Sequence, residues 1–71
     1  MKISMLEYSK LILEKVSFDA WLFANELRKS KRSLMNNEID ELRNWCEDKF
    51  GERYQAEIQK YLGGRVTDTE S

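Results

Sequence analysis

The sequence predicts an all-α protein: a small compact bundle of three main helices plus a short fourth, C-terminal helix. Three observations lead there. Proline is absent and glycine occurs only at Gly51, Gly63 and Gly64, so little breaks a helix between them. Apolar residues recur at helical spacing along three successive segments. Each segment also opens on a local start signal.

The first start is Ser4, with Glu7 three residues on, a capping box. Ile3 and Tyr8 occupy the positions that staple such a cap. This predicts a helix over about 5–16, with Met5, Leu6, Tyr8, Ile12, Leu13 and Val16 on one side. The second start is Asp19, with Phe18 and Phe23 placed to staple it. A helix over about 20–33 follows, lining up Ala20, Phe23, Ala24, Leu27 and Leu34. The third start is less regular. A cap at Met35 places Glu38 at the third helical position and sets Leu34 against Ile39. A methionine side chain cannot accept the amide hydrogen, so Asn36 or Asn37 is the alternative cap. The helix expected over about 37–50 lines up Ile39, Leu42, Cys46 and Phe50, with Trp45 at the edge.

Tyr54, Ile58, Tyr61 and Leu62 form one more stripe. In an unbroken helix it would be turned away from the preceding stripe by roughly a third of a turn or more. Both can face one core only if the chain breaks, and Gly51 is the expected breakpoint. The helical domain is therefore expected over 1–62, with a disordered polar tail over 63–71. Leu27, Leu42, Cys46 and Phe50 are the expected core.

Seventy-one residues make one domain with a thin stability margin. One cysteine, Cys46, excludes an internal disulfide, and the lack of histidine argues against a transition-metal site. No cofactor is expected. The 35% of charged residues are of mixed sign and sum to −1, so no global charge draws the chain to nucleic acid or an anionic membrane. No apolar run reaches the ~18 residues of a membrane span. With a free cysteine and no export signal, the expected location is the cytoplasm.

Cys46 lies in an apolar stripe, beside Glu47 and Asp48 and with no histidine to activate it, so it reads as core rather than as a nucleophile. The carboxylates fall on polar faces and in first turns, where the helix dipole favours them. None belongs to a catalytic motif, and an enzyme acting on a small-molecule substrate is not expected. The second and third helices do not read as a helix-turn-helix. Glu38, Asp40 and Glu41 would open the recognition helix and repel phosphates.

The remaining feature is the run Arg28-Lys29-Ser30-Lys31-Arg32. Cations in the last turns of a helix complement its dipole, yet Trp21, Asn25, Arg28 and Arg32 also form one stripe off the apolar face. An indole flanked by arginines suits an acidic protein or a nucleic-acid strand, unless Trp21 packs over the first helix and Arg28 stacks on it. Leu11 and Leu22 also project from their helices' main faces. The candidate surface is thus Trp21, Asn25, Arg28, Arg32, Leu22 and Leu11. The expected role is a non-enzymatic protein–protein interaction module, self-associating or docking on a larger partner. A small nucleic-acid-binding accessory protein using the Trp21, Arg28 and Arg32 stripe is the alternative.

Overall fold

Ser4 and Asp19 cap as their positions predict. In the computed structural model, which describes residues 3–63, the Ser4 hydroxyl accepts the Glu7 amide at 3.1 Å and opens α1, Met5–Val16. An Asp19 carboxylate oxygen accepts the Leu22 amide at 3.1 Å and opens α2, Ala20–Ser33. The third helix, α3, runs over Asn36–Leu62 from an N-cap at Met35. The cap is therefore neither Asn36 nor Asn37. Met35 supplies no side-chain acceptor, but Glu38 completes the other half of the box, its carboxylate accepting the Met35 amide at 3.0 Å. Among the described residues the secondary structure is these three helices, with no strand. Residues 64–71, most of the expected tail, lie outside the described residues.

A separate fourth helix is not an element of this fold. Residues 52–62 belong to α3, and the helix passes through Gly51 without a break. The irregularity falls three residues later, at Tyr54, whose φ of −122° and ψ of 25° leave the helical region. There the chain doubles back. Arg43 donates to the Leu62 carbonyl at 3.5 Å, and Gln59 donates to the Glu47 carboxylate. In a straight helix those pairs would be about 28 and 18 Å apart.

Burial explains the bend. A straight 27-residue α3 would extend ~40 Å, whereas α1 and α2, at 12 and 14 residues, offer only ~18–21 Å of covering length. Folding at Tyr54 gives a proximal arm over 36–53 and a distal arm over 55–62, and brings both apolar stripes to one core. Phe23, Leu27, Leu13, Leu42, Cys46 and Ile58 are completely buried there, and Leu6, Leu34, Tyr54 and Leu62 nearly so. Tyr54 holds the bend in place. Its ring stacks on Phe23 at 4.1 Å, and its hydroxyl donates to the Ser17 carbonyl between α1 and α2.

Other side chains depart from the sequence expectation. Phe50 is at the core's edge, partly buried, with its ring edge-on to Phe23. Phe18 does not staple the start of α2. It is 72% exposed while Phe23 is fully buried. Met5 and Tyr8 remain about half exposed, and Ser9 and Ser30 are buried in their place. These two small side chains lie beside one hollow between α1 and α2.

Gly51 gives a direct test of where the bend originates. Its conformation is an ordinary helical one, and a Cβ there would meet only the end of the Gln55 side chain, at 3.6 Å. Gly51→Ala is therefore expected to stabilise the fold by about 0.5–1 kcal/mol, because alanine loses less backbone freedom in a helix. A denaturant titration checks this. A loss of similar size would return the breakpoint to Gly51.

Candidate interaction surface

The outer face of α2 is built by helical geometry alone. Trp21, Asn25, Arg28 and Arg32 point nearly opposite the buried stripe of Phe23, Leu27, Ser30 and Leu34. Trp21 is 71% exposed, so α1 does not cover it. Arg28 does not stack on the indole. Its guanidinium donates instead to Asn25 Oδ1 at 3.3 Å, which fixes its stem along the helix. The tryptophan that cations do flank is Trp45, with Lys10 and Lys49 Nζ each 5.8 Å from its ring centre.

The fold-back adds a residue that periodicity on α2 could not supply. Tyr61, on the distal arm, joins Trp21, Ala24, Asn25 and Arg28 around a shallow hollow of about 190 Å³. Lys60 Nζ lies 5.4 Å from the Tyr61 ring centre. Phe18 stands just before the Asp19 cap, three positions from Trp21 at the start of this stripe. The signal for Tyr61 in the sequence was its place in the last apolar stripe, which marked it as core rather than as the wall of a surface hollow.

The other candidates do not join Trp21. Leu22 is partly buried and lies about 100° around α2 from it, on the flank that faces α1. Leu11 is 48% exposed, on the side of α1 opposite Leu6, Ser9 and Leu13. Neither lines the hollow, and Arg32 continues the α2 stripe beyond it.

Charge is partitioned between helices. Within α2 the cations are Arg28, Lys29, Lys31 and Arg32 against a single carboxylate, Glu26. Glu26 is held to Lys29 at 3.5 Å and is only 15% exposed in its side chain. Arg28, Lys31 and Arg32 are exposed and form no ion pair with another described residue. Along α3 the balance reverses, with seven carboxylates from Glu38 to Glu57 against four cations, Arg43, Lys49, Arg53 and Lys60. Asp40, Glu41, Asp48 and Glu52 on the proximal arm are all exposed.

Cys46 is completely buried. Burial pushes its thiol up to about 12, with Glu47 adding to the shift and Lys10 partly opposing it. Among the described residues no cluster of three or more histidine, cysteine or acidic side chains could hold a metal ion, and no helix is long and apolar enough to cross a membrane. Compared with family models, curated proteins and solved structures, the chain matches none of them.

Proposed function

We propose that this chain is a non-enzymatic protein-interaction module that engages another protein, or a second copy of itself, through the outer face of α2. The observation that carries this reading is the exposure of Trp21 and Phe18, 71% and 72%, in a domain whose core side chains are sealed from solvent. An indole left in water forgoes roughly 1.5–3 kcal/mol of burial. Large aromatics and arginines are the residues that contribute most at protein interfaces. Here both types border one hollow.

The test is a pair of measurements on the Trp21→Ala, Arg28→Ala double variant. Sedimentation is expected to show weakened association, while the melting temperature stays within about 2 °C of wild type, since neither side chain is part of the core. Lowered melting with unchanged association would assign both side chains to folding. A single-stranded oligonucleotide at low and high salt tests the nucleic-acid alternative in the same preparation. Tight binding that collapses with salt would favour it.

A further inference from the structure

The interaction reading leaves the partner open, and the arrangement of charge around Trp21 narrows it. We infer that the outer face of α2 binds an acidic amphipathic helix of a partner protein, with one apolar side chain seated in the Trp21–Tyr61 hollow and carboxylates on Arg28 and Arg32. The inference rests on that reading and adds the chemistry of the occupant.

Complementarity is the argument. The hollow, at about 190 Å³, takes one aliphatic side chain between the Trp21 and Tyr61 rings. From its centre, near Ala24 and Asn25, Arg28 lies about 5 Å along the α2 axis and Arg32 about 11 Å. A helix lying along α2 meets those three points with residues four and seven or eight positions apart, which share one face of a helix. The matching stripe is an apolar residue followed, in either chain direction, by two carboxylates at those intervals. An acidic stripe gains paired hydrogen bonds from the arginine forks, and no exposed carboxylate within α2 opposes it.

The same charge pattern disfavours the other occupants. A nucleic-acid strand extends beyond three cations, and the protein's net charge of −1 and the acidic α3 give it no wider track. In a second copy the carboxylates of the proximal arm are Asp40, Glu41, Asp48 and Glu52, interspersed with polar Asn37 and Asn44. That ridge has no apolar side chain at its centre to fill the hollow. On the outer face of α1, exposed Leu11 lies between Glu7 and Glu14, with one carboxylate on each side of the apolar residue rather than two on the side of Arg28 and Arg32.

The experiment uses the full chain and a fluorescently labelled helical peptide of about 18 residues. It carries leucine with glutamate four and eight positions on, in an alanine–glutamine background. Anisotropy is expected to report saturable binding that weakens several-fold when salt is raised to roughly 0.5 M. Arg28→Glu is expected to weaken binding about ten-fold or more. A peptide with arginine in place of the first glutamate should recover part of that loss on the Arg28→Glu protein. Trp21→Ala should abolish the leucine's contribution, leaving wild-type-like binding of an alanine-for-leucine peptide.

Absent binding of the acidic peptide overturns the proposal, as does equal binding of its lysine-substituted counterpart or tighter binding of a single-stranded oligonucleotide. Trp21-dependent self-association without peptide binding would overturn the acidic helix as occupant while leaving the interaction face itself supported. Melts of each variant separate misfolding from lost recognition.

Discussion

Phe23→Ala is expected to destabilise the protein by about 3–5 kcal/mol, the largest loss available from one side chain. Phe23 is completely buried, with Tyr54 stacked on one face at 4.1 Å and Phe50 edge-on at 5.1 Å. Removing the ring leaves a cavity where α2 meets both arms of α3, and it takes away the surface against which the bend is packed. A chain of this length has a total stability of only about 4–10 kcal/mol, so much of the variant population should be unfolded near 37 °C. Leu42→Ala, within the proximal arm, should cost less, about 2–5 kcal/mol. Thermal melts and urea titrations check both. A Phe23→Ala melting point within a degree or two of wild type would show that the aromatic stack does not hold the bend.

Cys46 provides the largest kinetic effect. A thiol of ordinary acidity, losing its proton near 9, is about a tenth thiolate at pH 8, whereas one held near 12 is thiolate in roughly one molecule in ten thousand. Labelling by a thiol reagent at pH 8 is therefore expected to be at least about a thousand-fold slower in native protein than in denaturant. Equal rates would remove Cys46 from the core. Stability carries the same signature. The unfolded thiol loses its proton near 9, and the folded one keeps it until about 12. The contribution is thus complete below pH 9 and is lost as pH rises towards 12, by up to about 1.4 kcal/mol per pH unit. The quantity to measure is the stability difference between wild type and Cys46→Ala across that range. A difference independent of pH would rule the effect out.

What the sequence made legible was local. Ser4 and Asp19 announce their helices because a side chain three residues from an amide is enough to form a cap. Leu27, Leu42 and Cys46 announce the core because periodicity alone places them on one side of a helix. The bend could be foreseen as a need, since two stripes out of phase cannot share one core. Its position could not, because glycine marks where a chain turns easily and Tyr54 marks where packing makes it turn. Ser9 and Ser30 were invisible for a similar reason: their polarity reads as surface, yet both are buried where α1 faces α2. Trp21, Asn25, Arg28 and Arg32 could be grouped from their spacing. Tyr61 could not be added to them, because that contact exists only after the chain has folded back. Leu11 and Leu22 looked like neighbours of Trp21 only while the orientation of each helix about its own axis was unknown.

The doubling back of α3 also orders the steps by which the chain can assemble. The contacts that close it, Glu47 with Gln59 and Arg43 with Leu62, are separated by 12 and 19 residues. The tie between Tyr54 and Ser17 spans 37. Loop-closure entropy rises with the logarithm of that span, so each contact within α3 restricts a shorter stretch of chain than any that joins α3 to α1. On this ground α3 is expected to fold on itself at Tyr54 before Tyr54 is tied to Ser17, while α1 and α2, joined through residues 17–19, can pair independently of it.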